Sequence, residues 1–119
     1  MTEEQIKLEI QKLLAKPAKV TSIKWHKKKI ESLPTEIKEL AKLPNLRELI
    51  LDDNKIEYLP PEIAEITQLE KLSVARNPLR AVNLAIFKLP NLLELNLTKV
   101  LLTTLPKEIG QLKKLKKLN

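Results

Sequence analysis

Read for its apolar positions alone, the chain repeats itself. Leu46, Leu69, Leu92 and Leu115 stand 23 residues apart, and large aliphatic side chains recur between them at offsets 0, 3, 5, 10, 13, 17 and 20. In one repeat these are Leu46, Leu49, Leu51, Ile56, Leu59, Ile63 and Ile66. Apolar residues two apart mark a strand with one face inward, and spacings of three or four mark a helical turn. Each repeat therefore predicts a short strand followed by a return segment with a loose helical turn. One such unit cannot bury its apolar face, whereas stacked units share a continuous core.

The same template fits further upstream as Val20, Ile23, Trp25, Ile30, Leu33, Ile37 and Leu40. Val20 lies 26 residues before Leu46, so this first repeat holds three extra residues, most simply in "ELAKLPN", where Leu43 adds an apolar step. Trp25 falls on an inward strand position and His26 on an outward one. The repeats are thus 20–45, 46–68, 69–91 and 92–114, with a partial fifth at 115–119.

Residues 1–19 do not fit the template. Thr2 and Gln5 form a capping-box pattern, Ile6, Ile10, Leu13 and Leu14 share one helical stripe, and Pro17 stops the helix. An amphipathic helix here is expected to cap the open N-terminal end of the array, with Leu8 off the stripe and partly exposed. At the other end, "LKKLKKLN" stops as a fifth strand begins. Its edge is open, and Lys113, Lys114, Lys116 and Lys117 are suited to discourage edge pairing. Alternatively, the chain is one part of a longer array.

The strand-and-turn segment "LRELILDDNKI" resembles the leucine-rich repeat signature L-x-x-L-x-L-x-x-N-x-L, and "LPTEIKELAKL", "LPPEIAEITQL" and "LPKEIGQLKKL" resemble a 23-residue subclass common in bacterial and intracellular adaptor-type members. The resemblance covers residues 20–119. It implies an α/β fold: a right-handed leucine-rich repeat solenoid with a parallel β-sheet on its concave side and short helical or 3-10 turns on its convex side. In that family asparagines at offset 8 stack into a ladder that satisfies turn backbone groups. Here the offset holds Asn54 and Asn77, but Lys28 and Val100 in the flanking repeats. A lysine should swing to solvent and a valine offers no amide, which puts those two turns in doubt. The third repeat also replaces the Leu-Pro pair with Val82-Asn83.

The resemblance further implies a non-enzymatic protein-interaction module that binds a protein or peptide on the concave sheet, through outward strand positions. Those positions are Ser22, Glu48, Lys71, Glu94 and Lys117 at offset 2; Lys24, Ile50, Ser73, Asn96 and Asn119 at offset 4; and His26, Asp52, Ala75 and Thr98 at offset 6. Candidate contacts are Lys24, His26, Glu48, Ile50, Asp52, Lys71, Ser73, Glu94, Asn96 and Thr98. With neighbouring strands about 4.8 Å apart, Glu48, Lys71, Glu94 and Lys117 should form a cross-strand charge ladder, read chiefly as a register and solubility device.

Charge and composition then narrow the function. The net charge of +7 divides as +5 over residues 1–30, −3 over 31–60, +1 over 61–90 and +4 over 91–119, so positive charge gathers at the ends. Nearly all the bases are Lys, the arginines being Arg47, Arg76 and Arg80, and only 3% of residues are aromatic. Without guanidinium forks or stacking rings the pattern argues against specific nucleic-acid binding. The N-terminus is neither a signal peptide nor a membrane span, and the absence of cysteine fits a cytoplasmic protein.

His26 beside Asp52 would suit a catalytic or metal pair, but a nucleophile or third ligand is missing. Gly110 is the sole glycine, so no phosphate-cradling loop exists. No cofactor and no catalytic residue is expected. Two alternative functions remain open: self-association as a homodimer through the C-terminal edge, and electrostatic binding of an anionic surface by the lysine-rich ends. With four repeats, the sheet is short and favours a small interface over a ligand pocket.

Overall fold

The computed structural model describes all 119 residues. Its helix α1 spans Glu3–Leu14 and begins with a complete capping box. The Gln5 N–H donates to Thr2 Oγ1 at 3.2 Å and the Thr2 N–H to Gln5 Oε1 at 2.8 Å, so two of the N–H groups that a helix start leaves unpaired find partners. A single 3-10 turn at Pro17–Lys19 then turns the chain into the sheet.

Five parallel strands follow: β1 (Ser22–Lys24), β2 (Glu48–Ile50), β3 (Lys71–Ser73), β4 (Glu94–Asn96) and β5 (Lys117–Leu118), stacked in chain order. The register is that of the repeat. Ile23 pairs with Leu49, Leu49 with Leu72, Leu72 with Leu95, and Leu95 with Leu118.

Between strands the chain returns through 3-10 turns at Thr35–Lys42, Pro61–Glu65, Leu84–Lys88 and Lys107–Gln111. Three of the four start after a proline in extended conformation, Pro34, Pro60 or Pro106. Proline sets the backbone angle of the approach and gives up an N–H that a helix start leaves unpaired anyway. The third repeat reaches the same turn with Asn83, whose Oδ1 accepts from the Ala85 N–H at 2.9 Å. This N-cap explains why the departure from Leu-Pro is tolerated. The turn of the first repeat has eight residues against five in each of the others, which accommodates its three extra positions.

Sheet and turns enclose one aliphatic core that runs from Ile6 to Leu112. Trp25 lies inside it, 8% exposed. Ile6 and Ile10 of α1 are buried in the same cluster, against the first repeat, while Leu8 on the opposite face is 64% exposed. Burying one such isoleucine contributes about 1.5–3 kcal/mol. Polar contacts hold the helix in place: Ser32 Oγ donates to Glu3 Oε2 at 2.6 Å, and the Met1 ammonium donates to the Lys28 carbonyl.

The turns after the strands depart from the sequence expectation. Every repeat carries a left-handed residue at offset 7, Lys27 (φ 54), Asp53 (φ 59), Arg76 (φ 54) and Lys99 (φ 55), so the first and fourth turns share the geometry of the middle two at that position, and the first turn adds a second left-handed residue, Lys29 (φ 57). For the first turn the reason lies in the direction of the asparagine bonds. Asn54 Oδ1 accepts from the Lys28 and Ile30 N–H groups and its amide donates to the Trp25 carbonyl, all in the repeat before it. Asn77 likewise accepts from the Ile56 N–H and donates to the Leu51 carbonyl. Each asparagine therefore serves the preceding turn as well as its own, and Lys28, with its side chain in solvent, sits in a turn that Asn54 already satisfies.

Candidate functional site

The outer sheet face is built by strands so short that each offers only two or three outward side chains. Parallel pairing sets them in columns: Ser22, Glu48, Lys71, Glu94 and Lys117 in one, and Lys24, Ile50, Ser73 and Asn96 in the next. Identical positions of successive repeats thus become neighbours, and residues far apart in sequence form one surface.

In the first column the charge ladder closes at its C-terminal half. Lys71 Nζ lies 3.6 Å and Lys117 Nζ 3.9 Å from Glu94 Oε2. Glu48 shares the column with Lys71 without an ion pair. Its neighbour Arg47 instead reaches Glu70, at 3.5 Å.

The second and third columns require corrections. Ser73, expected as a contact residue, is 2% exposed: its hydroxyl donates to Asp52 Oδ1 at 2.6 Å. Asp52, expected as a contact residue beside His26, bonds instead to the neighbouring strand and turn. Its Oδ1 also accepts from the Ala75 N–H at 2.9 Å, which fixes the strand end, and Arg76 stands 3.7 Å from its Oδ2. A carboxylate so engaged is not free to act as base or ligand for His26, and no group of three or more metal-ligating side chains exists. Asn96 and Thr98 are drawn together, with Asn96 Oδ1 accepting from the Thr98 N–H at 3.0 Å and the Thr98 hydroxyl at 2.6 Å. Lys24 and His26 are exposed, and Glu48, Ile50, Lys71, Glu94, Asn96 and Thr98 are half-buried.

Arg76 is the residue that the column reading missed. Its Nε donates to Asp53 Oδ1 at 2.8 Å and an Nη to Asp53 Oδ2 at 3.0 Å, a forked pair beside the sheet. That hydrogen bond holds the Asp53 carboxyl below its ordinary value and the Arg76 guanidinium above its own. Arg80 and Glu57 form a similar pair at 2.9 Å, which likewise raises Arg80. A signal for both was present in the sequence, since each arginine follows its carboxylate by one 23-residue repeat.

Comparison with known proteins agrees with this architecture. The family described as "Leucine rich repeat" matches residues 67–119. A solved leucine-rich repeat protein from Leptospira interrogans is similar at TM-score 0.70 and 32% identity, over 92% of this chain and 33% of that one. The plant peptide hormone receptor RGFR1, solved in complex with RGF2, is similar at TM-score 0.68 and 31% identity, over 80% of this chain and 15% of that one. The chain therefore spans about a third of the first neighbour's length and about a seventh of the second's. No curated protein sequence matches it.

Repeat period, parallel sheet, 3-10 turns and asparagine ladder together with these matches make the chain a leucine-rich repeat protein. The family is in general a scaffold for interaction with other proteins. No helix is long and apolar enough to cross a membrane.

Proposed function

We propose that the chain is a non-enzymatic interaction module of the 23-residue repeat subclass, acting in the cytoplasm, and that it binds a protein or extended peptide on the concave sheet face. The observation that supports this reading is the register of the sheet, which collects Lys24, Ile50 and Asn96 into one row beside Glu48, Lys71 and Glu94. The row mixes charge, amide and apolar surface on a backbone held by parallel strand pairing, and a face ordered before binding favours recognition. Complex formation by the similar receptor adds support.

Ser73 and Asp52 support the surface from behind through their mutual hydrogen bond, and the contacts themselves fall to Lys24, His26, Glu48, Ile50, Lys71, Glu94, Asn96 and Thr98. A displayed peptide library selected on the 119-residue chain tests this. Selected peptides should lose at least about tenfold in affinity on Lys24→Glu and on Ile50→Ser, a change of about 1.4 kcal/mol. Peptides that bind both variants as well as the parent would remove the sheet face as the site.

A further inference from the structure

The residues with left-handed backbone are Lys27, Lys29, Asp53, Arg76 and Lys99, and none of them is glycine or asparagine. That conformation crowds the side chain of any L-residue, and lysine and arginine lack the short polar side chain that eases it for asparagine and aspartate. Charge is what the five share. Asp53 and Arg76 spend theirs on each other, in the forked pair at 2.8 and 3.0 Å. Lys29 lines a hollow with Glu3 and Glu31, acids that offset it. Lys27 takes part in no ion pair, so no contact of its charge within the fold accounts for lysine at a strained position. Strain of this kind gathers at binding sites.

Lys27 stands at a corner of the sheet face. Its N–H donates to the Asp52 carbonyl at 3.2 Å, and the Trp25 N–H to the Ile50 carbonyl at 2.9 Å, which ties this corner to β2. Lys24 lies opposite Ile50 at the end of β1, and His26 follows at the next outward position; both are exposed, as is Lys27. The aspartates of the adjoining repeat are occupied elsewhere. Asp52 accepts from the Ser73 hydroxyl and the Ala75 N–H, and Asp53 from Arg76. Glu48, half-buried on the same face, is in no ion pair, and neither is Lys24.

We infer that this corner takes an acidic segment of a partner protein, with the Lys24 and Lys27 ammonium groups and the His26 ring N–H meeting successive carboxylates while an apolar side chain rests on Ile50. This deepens the proposed function and rests on it. Charge complementarity selects the occupant: a chain of net charge +7 attracts acidic partners, and a second copy of it would bring the same excess of lysine. Glu48 repels carboxylates and so confines them to the side of β1 and its turn.

The test uses a labelled, capped peptide of alternating valine and glutamate and its valine–lysine counterpart, followed by fluorescence anisotropy on the 119-residue chain. At low salt the acidic peptide should bind at least about tenfold tighter than the basic one, with the difference shrinking as salt screens the charges. Lys27→Asn should weaken the acidic peptide about threefold, in the range of one exposed charge contact. Its urea midpoint should hold or rise, because asparagine enters the left-handed region more readily than lysine. A role in the fold alone would not lower affinity while stability is kept. Lys29→Asn makes the same change on the side of Glu3 and Glu31 and should leave binding as it is. Glu48→Gln should tighten the acidic peptide.

Acidic binding no tighter than basic, undetectable binding included, would overturn the inference. So would full binding by Lys27→Asn, or equal losses in Lys27→Asn and Lys29→Asn, which would show that only total charge matters. Anionic phospholipid vesicles that bind the chain and displace the peptide would assign the corner to a membrane surface and overturn it as well. Equal binding of both peptides, weakened by Ile50→Ser, would sink the acidic corner and leave the proposed function standing. Affinity that survives both Ile50→Ser and Lys24→Glu would remove the two together.

Discussion

The two ends of this array have the same repeat template and opposite fates. At the N-terminal end, α1 lays Ile6 and Ile10 over the first repeat, and Ile30, Ile37 and Leu40 are fully buried behind them. At the C-terminal end, the 119 residues place only the two-residue strand β5 beyond the fourth repeat. Leu105 occupies the same offset as Leu33 and Leu59, which are 6% and 5% exposed, yet it is 44% exposed itself. Leu102, Ile109 and Leu115, all inward by the template, are only partly covered. An inward position is thus a statement about direction. Burial needs a neighbour on both sides, and in a solenoid each unit gets cover only from the next.

The strongest way to test this is to truncate the same offset at both places. Leu59→Ala should cost roughly 2–4 kcal/mol, from lost transfer free energy and the cavity left between repeats. Leu105→Ala should cost only about 1 kcal/mol, because nearly half of that residue stays in water after folding. Urea midpoints at unchanged slope measure both. Equal costs would mean that the C-terminal repeat is packed as tightly as the middle one. Ile10→Ala belongs with Leu59→Ala, at roughly 2–4 kcal/mol, with amide protection lost first over residues 20–45 if α1 covers that core.

The asparagine ladder gives the next contrast. Asn77→Ala removes an amide bonded to the Leu51, Val74 and Ala75 carbonyls and an acceptor for the Ile56 N–H. Leaving such groups buried and unpaired should cost about 1–3 kcal/mol. Val100 stands at the position from which an asparagine would serve the turn of the third repeat. Val100→Asn should therefore stabilise, by up to about 1 kcal/mol, with exchange slowing at Leu79, the counterpart of Ile56. An unchanged midpoint with unchanged exchange at Leu79 would show that the ladder does not extend past Asn77.

These contrasts also show which features the sequence made legible. The 23-residue period placed Leu49, Leu72 and Leu95 correctly, because strand alternation depends on local spacing alone. Ser73 was misplaced by the same rule: alternation aims it outward, but a carboxylate one strand away closes over it. The left-handed turn could not be read from Lys27, Arg76 or Lys99, since lysine and arginine carry no turn signature. Nor could the backward reach of Asn54, which depends on the stacking distance between repeats. The charge pairs were readable in principle, through opposite signs one repeat apart, as in Glu57 and Arg80.

The smallest effect concerns one such pair, and its sign can be worked out. Asp53 is held below its ordinary carboxyl value by the forked bond from Arg76. A carboxyl lowered on folding contributes stability that is present in full above its unfolded value, near 3.8 for this group, and is lost as pH falls through the lower folded value. Acid should therefore weaken the parent chain in that window, and Asp53→Asn should flatten the response while changing little at neutral pH, since the pair is exposed and screened. The fourth repeat gives the control. Lys99 holds the same left-handed offset as Arg76 and has no carboxylate paired with it among the ion pairs. Lys99→Ala should leave the acid limb of a stability–pH curve untouched. An acid limb that survives Asp53→Asn in full would assign it to other carboxylates and remove the Asp53–Arg76 pair as a stabilising difference between the middle of the array and its end.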